Sequence, residues 1–357
     1  MKNLIKMPEV FRDNYSPQKL PQRKKELKRI NLILERGLEN LAIIGPSGSG
    51  KTVTVGLALR QQDCIPHIYI SCSPDFGLKS LLISIANYFG INCNPRKENT
   101  QGILHKIKSS LNEPFFIILD DIDRLKLSQI CTIFKIKDAL PNIFFIIVTN
   151  KFGLLRELKS LCNDVLHRIS PYQIHFKPYT ATEATEILVE RCKEGLVSGS
   201  YNTEGIHRLG ALVKREADGD IRTGIKAIKL AVDTAVMEDR DSINFDDLKT
   251  AFTSVLTDDL MDMVDCLSIH EKILFLSVLQ KEGPFTFHMQ KYLHIVNHEL
   301  KGLLHPLNKS NIWRSFNRLT KAGLIFPEKK GGKTIYYPAS NERNKEKLER
   351  KLRDEII

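Results

Sequence analysis

Residues Gly45-Pro-Ser-Gly-Ser-Gly-Lys51-Thr52 read G-x-x-x-x-G-K-[ST] and follow the apolar run Leu41-Ala-Ile-Ile44 directly. No other stretch constrains the fold as much. A strand must deliver the chain into a glycine-rich turn and a helix must leave it, so that backbone N–H groups and the positive end of the helix dipole converge on one point. Such a turn cradles a polyphosphate. Gly45, Pro46, Ser47, Gly48, Ser49 and Gly50 would wrap it, Lys51 would reach the β- and γ-phosphates, and the Thr52 hydroxyl would ligate Mg²⁺. Leu57, Ala58 and Leu59 continue a helical face, so a chance glycine-rich turn is the poorer reading. A bound nucleoside triphosphate is expected.

The rest of the chain must accommodate that unit. With 357 residues there is room for two or three domains. Apolar runs such as Ile143-Phe-Phe-Ile-Ile-Val148 are strand-length, far short of a membrane span. The apolar core of Met1-Lys-Asn-Leu-Ile-Lys-Met7 is too short for a signal peptide. Cysteines 64, 72, 93, 131, 162, 192 and 266 are odd in number and form no C-x-x-C pair, which predicts free thiols in a reducing compartment and argues against a disulfide framework or a zinc site. A soluble cytoplasmic protein without membrane contact is expected.

From 41 to 176 short apolar strands alternate with helical segments, the pattern of a parallel α/β sheet. The strands are Leu41–Ile44, His67–Ser71, Phe115–Leu119, Ile143–Thr149 and Gln173–Phe176; helices fit near 51–61, 77–90, 101–112, 125–139 and 153–163. After Pro178 the strand signal stops, and 180–195, 204–217, 220–237 and 245–256 read as helices of an all-helical lid. Beyond about 260, helices near 268–281, 286–304 and 309–322 precede two extended stretches, Leu324–Phe326 and Thr334–Tyr337. Lys329-Lys-Gly-Gly-Lys333 makes a glycine turn between these. Three helices and a basic β-hairpin describe a winged helix. The domains therefore read as 1–178, 179–258 and 259–357.

Three further elements bear on the nucleotide. Phe116-Ile-Ile-Leu-Asp120-Asp121 is an apolar strand ending in paired carboxylates, expected on the strand next to the phosphate loop. Asp120 would hold Mg²⁺, and Asp121 would orient or deprotonate the attacking water. Ile147-Val-Thr-Asn150 is a buried strand closed by an amide that can bond both the γ-phosphate and that water. Asn150 alone would equally suit a turn; its value lies in its place in the strand series. In Gly219-Asp-Ile-Arg222, an arginine opening a lid helix can fold back onto the phosphates, although alone it would read as a solvated helix residue.

Phosphate loop, acidic strand end, polar strand end and lid arginine, in this order, resemble an AAA+ P-loop NTPase. Val10-Phe-Arg-Asp…Leu20-Pro-Gln-Arg23 and Ile174-His-Phe-Lys-Pro178-Tyr179 followed by Ile187-Leu-Val-Glu-Arg191 narrow the resemblance to the replication-initiator family. That family comprises the large subunit of the origin recognition complex, cell-division-control protein six, and their archaeal counterparts. The likeness spans nearly the whole chain. It implies an ATP/ADP switch with Mg²⁺ that binds double-stranded DNA at replication origins, meets other initiator subunits and helps recruit or load the replicative helicase. It also implies that Pro21, Arg23 and Tyr179 form the base pocket, and that Lys51, Thr52, Asp120, Asn150 and Arg222 fall on the family's motif positions.

Two departures stand out. The family usually carries Asp-Glu where this chain has Asp120-Asp121, so the second carboxylate is one methylene shorter and slow hydrolysis is expected. Asp164 also stands where relatives often carry an arginine, with Arg156 and Arg168 the nearest candidates to act across a subunit interface.

The net charge of +11 is concentrated late: between 301 and 340, eight basic residues (Lys301, Lys309, Arg314, Arg318, Lys321, Lys329, Lys330, Lys333) face only Glu328, which points to a polyanion partner. On helix 309–322, Ile312, Phe316 and Leu319 form the apolar stripe, leaving Lys309, Asn311, Arg314, Arg318 and Lys321 to enter a major groove. Lys329, Lys330 and Lys333 would touch an adjacent backbone or minor groove, and Trp313 is expected in the core. Competing readings are a signalling NTPase whose winged helix docks protein, or the ATPase of a transposition or partition system.

Overall fold

The computed structural model describes residues 4–13, 15–37, 39–62, 65–94, 96–281, 284–299, 307–330, 332–339 and 342–356. Cys64, Lys301 and Gly331 lie outside them, as do the side chains of Arg168 and Lys321. The chain divides into two compact units, Met1–Lys249 and Thr250–Ile357.

In the first unit, β1 (Leu41–Ile44), β2 (His67–Ser71), β3 (Phe115–Asp120), β4 (Ile143–Thr149) and β5 (Tyr172–His175) form one parallel sheet in the order β2-β3-β4-β1-β5. β1, β3 and β4 are buried along their whole length because helices cover both faces. Ala42, Ile44, Ile117, Leu119, Phe145 and Ile147 face one core, with helices Leu78–Tyr88, Thr100–Ser110, Leu127–Phe134 and Leu154–Leu161. Leu41, Ile43, Phe116, Ile118, Ile146 and Val148 face the other, against Lys24–Arg36 and Lys51–Gln61. The two-residue alternation of side chains thus divides each strand between two cores.

Several expectations need correction. The strand of paired carboxylates is not next to the phosphate-loop strand, because β4 intervenes between β3 and β1. Local hydrophobic pattern specifies a parallel sheet, whereas strand order is set by crossovers that leave no local mark. The expected helix 125–139 is two pieces, Leu127–Phe134 and Ile136–Ala139, preceded by a 3₁₀ turn Ile122–Arg124. The cysteines are not all free. Cys131 and Cys162 are joined by a disulfide, with Cα atoms 6.3 Å apart across 31 residues of sequence. Helix Leu127–Phe134, which carries Cys131, and helix Leu154–Leu161, which Cys162 follows, lie in the same core layer, and this brings the two sulfurs together. Among the described residues, Cys72, Cys93, Cys192 and Cys266 remain thiols.

The lid carries helices Ala181–Gly195, Thr203–Glu216 and Ile221–Met237, followed by Phe245–Asp265, within which the division of units falls. Thr180 opens the first with a capping box, its side chain accepting from Glu183 N–H while Glu183 reaches back to Thr180 N–H at 2.9 Å. The leading segment is tied to this helix: Lys6 N and Met7 N donate to Gly195 O at 2.8 and 3.1 Å. A Cβ on Gly195 would stand 2.4 Å from the Phe11 ring, which explains a glycine there.

The second unit has helices Ile269–Leu279, Met289–Glu299 and Lys309–Lys321, a hairpin of β6 (Ile325–Lys330) and β7 (Lys333–Pro338), and a closing helix Glu342–Ile356. Lys330 pairs with Lys333, and between them Gly332 takes φ +78°. Phe285 forms an isolated antiparallel bridge to Tyr336 of β7 through N–H···O bonds of 3.0 and 2.8 Å, beside the two-stranded wing. No described helix is long and apolar enough to cross a membrane.

Candidate nucleotide and nucleic-acid sites

The phosphate loop is held from below. Gly48 and Gly50 take φ +64° and +85°, and a Cβ on Gly45 would stand 2.5 Å from Phe176 O. Arg23 is buried at 4% exposure and donates from Nε to Ser49 O (3.0 Å) and from Nη2 to Lys177 O (2.7 Å), its guanidinium 4.0 Å over the Tyr179 ring. Arg23 therefore braces the loop. Tyr179 is buried too, its hydroxyl against Gly50.

Above the loop, Lys51 Nζ donates to Pro46 O (2.6 Å) and to Asn150 Oδ1 (2.8 Å). Burial, and secondly the Arg222 charge, lower the Lys51 pKa to about 8. Thr52 Oγ1 donates to Asp120 Oδ2 at 2.8 Å, and the same carboxylate oxygen accepts from the Tyr69 hydroxyl, while Asp120 Oδ1 accepts Asp121 N–H at 2.9 Å. Asp121 sits at φ 52°, ψ 39°, a left-handed conformation that aspartate tolerates better than most residues. Asn150 Nδ2 donates to Asp121 Oδ1 at 3.4 Å, and Asp123 Oδ1 fixes Asn150 by accepting its N–H at 3.0 Å. From the lid, Arg222 donates to Ser47 Oγ, which in turn donates to Asp220 Oδ2 at 2.7 Å.

These groups surround one cavity of about 450 Å³ lined by Lys51, Thr52, Asp120, Asp121, Asn150 and Arg222. A neighbouring space of about 330 Å³ is lined by Leu20, Gln22, Val53, Tyr179, Ile187 and Ile221, among others. Val53 and Ile221 border both. Polar groups for phosphates thus adjoin apolar walls for a flat base. Leu20 and Gln22, on either side of Pro21, carry the lining there. The Thr52 hydroxyl and Asp120 carboxylate offer paired hard oxygens, a donor set that fits Mg²⁺.

Tyr69, Arg124 and Asp220 were not singled out from sequence. Asp220 had a readable signal, since an aspartate two residues before an arginine at a helix start is a cap; it accepts Arg222 N–H at 3.0 Å.

On the second unit, Lys309, Arg314 and Trp313 are exposed on helix Lys309–Lys321, with Asn311 half-buried, and Lys329, Lys330 and Lys333 are exposed along the hairpin. Arg318 turns back to Glu271 (Nη1–Oε1 3.0 Å), whose carboxylate is 1% exposed and caps helix Ile269–Leu279. Trp313 is 43% exposed, not in the core as expected, because it lies at the edge of the apolar stripe where the helix turns toward its polar face.

The parallel sheet between two helical layers, phosphate loop, acidic strand end, polar strand end and lid arginine define an AAA+ nucleotide-binding protein. The family model described as AAA domain matches residues 35–174, and the Cdc6 AAA+ ATPase-type lid domain matches 185–253. ORC1-type DNA replication protein 1 of Archaeoglobus fulgidus is 27% identical over 79% of this chain and 73% of its own length. The ORC1-type DNA replication protein of Thermococcus kodakarensis is 26% identical over 91% and 84% respectively. In structure, the Aeropyrum pernix ORC1 protein in complex with DNA superposes with a TM-score of 0.77 at 20% identity over all of both chains. The Aeropyrum pernix ORC2 protein, solved as ADPNP-ADP complexes, gives 0.71 at 19% over 99% of this chain and all of that one. The chain thus carries an AAA domain followed by a Cdc6-type AAA+ lid, and over most of its length it is similar to DNA replication proteins of the ORC1 type.

Proposed function

We propose that this protein is an ATP-switched replication initiator that binds double-stranded origin DNA, meets other initiator subunits and helps recruit the replicative helicase. The observation that carries the reading is the contact of the lid's Arg222 with Ser47 of the phosphate loop, in a cavity that also holds Lys51, Asp120 and Asn150. A group bound there is touched by strand ends and lid at once, so its phosphate count can bias lid position.

Lys51 and Arg222 bind the phosphates, Tyr179 with Leu20 and Ile187 walls the base, and Thr52 with Asp120 holds Mg²⁺. When bound, Mg²⁺ neutralises charge on the phosphate oxygens. Asn150 orients the water, and Asp121, whose side chain is short, accepts the proton that the water gives up, so turnover is slow. The winged helix supplies the DNA contact, as its basic face and the DNA-bound relative suggest.

Genome-wide mapping of binding sites, comparing the wild type with Lys51→Ala, tests this. Enrichment at a few intergenic loci, weakened in the variant, is expected. Uniform occupancy of the genome would overturn the initiator reading.

A further inference from the structure

Trp313 is the only tryptophan in the chain and is 43% exposed on the helix whose neighbours Lys309 and Arg314 are also exposed. It is not loose. Its ring lies 5.7 Å from Phe287 and nearly parallel to Phe316 at 6.3 Å, while Phe287 stacks on Phe316 at 3.7 Å and on Tyr292 at 5.2 Å. Phe316 and Tyr292 are fully buried. The indole is therefore the outer end of an aromatic stack rooted in the core, and is pre-oriented at little entropic cost.

Its position along the helix matters as much. Trp313 lies four residues before Asn317 and next to Arg314, on the edge of the polar face opposite Ile312 and Leu319. The local excess of lysine and arginine makes a polyanion the occupant that complements this surface, and an apolar edge among cations suits the thymine methyl groups of a major groove.

We propose that Trp313 is a specificity-determining DNA contact, its indole edge resting on thymine C5-methyl groups. This rests on the reading of the second unit as a DNA-binding module, and the test separates the two. Full-length wild type, Trp313→Ala and Trp313→Phe would each select duplexes from a random library, with binding followed by anisotropy of labelled DNA. Because Trp313 is the sole tryptophan, its emission reports on this residue alone. The expected results are a change in wild-type emission on binding and an A·T preference at one position that Trp313→Ala loses and Trp313→Phe largely keeps. Replacing those thymines by deoxyuridine should weaken the wild type about threefold or more and leave Trp313→Ala unchanged. Unchanged emission and identical preferences, with anisotropy still rising, would overturn the proposal and leave the DNA reading standing. No anisotropy change with any duplex would overturn both.

Discussion

Arg124 Nη2 lies 3.0 Å from Asp121 Oδ2, and Asn150 holds the other oxygen of the same carboxylate. The carboxylate proposed to accept a proton from water is thus restrained on both sides. An exposed ion pair of this kind stabilises by only about 0–1 kcal/mol, so breaking it should leave folding intact. Arg124→Ala is expected to raise multiple-turnover ATP hydrolysis about two- to fivefold, and Asp121→Asn to remove most of it while nucleotide affinity is retained. Unaltered turnover in Arg124→Ala would show that the pair does not restrain the base.

Lys51 gives a pH signature. Its ammonium titrates near 8 in the folded protein against an ordinary 10.5, because burial, and then Arg222, disfavour the charge. Between those values the unfolded chain binds the proton that the folded site has lost. Stability of the nucleotide-free protein therefore rises with pH through that window, and the penalty is complete below about pH 8. Phosphates beside the ammonium favour its charged form. Nucleotide binding at about pH 9 should then take up a proton, and affinity should fall by up to tenfold per pH unit above about 8. Calorimetry in two buffers of different ionisation heat measures the uptake; identical heats would contradict it.

Which parts of this were legible beforehand follows from how local the signal is. β1 and β4 were readable to the residue because strands buried on both faces are uninterrupted apolar runs bounded by polar ends. That Lys51, Thr52, Asp120, Asn150 and Arg222 line one cavity was legible because each sits at a fixed place on a strand end or helix start. The Tyr69–Asp120 hydrogen bond, the Cys131–Cys162 bridge and the Arg318–Glu271 pair join residues far apart in sequence, and nothing local marks them. Helices Lys24–Arg36 and Glu342–Ile356 carry a weak local signal because charge dominates them, although Leu348 and Leu352 recur at helical spacing and are fully buried.

Asp220 combines two tasks that substitution can separate. It caps helix Ile221–Met237 by accepting Arg222 N–H, and it accepts the Ser47 hydroxyl across to the phosphate loop. Asp220→Ala should lower stability by about 1 kcal/mol, the usual cost of a lost cap, read by thermal melting. Asp220→Asn keeps an acceptor oxygen and should recover most of that loss. Equal losses in the two variants would mean that charge, not capping, is what Asp220 contributes.

Not every cation of the winged helix should act alike on DNA. If five phosphates are neutralised, log K should fall with log salt at a slope near about −4.5, and each wing lysine lost from Lys329, Lys330 or Lys333 that contacts a phosphate should lessen it by about 0.9. Arg318 is committed differently, since it pairs with a carboxylate that is almost wholly buried. Removing it leaves Glu271 Oε1 without its cation, while Ser268 N–H and hydroxyl still donate to Oε2 at 2.9 and 2.8 Å. Arg318→Ala should therefore destabilise the second unit by about 1–3 kcal/mol and change the salt slope little. Chemical denaturation and salt-dependent DNA binding measured side by side decide between the roles. A slope reduced as much as by a wing lysine, with stability unchanged, would make Arg318 a phosphate contact and not a brace.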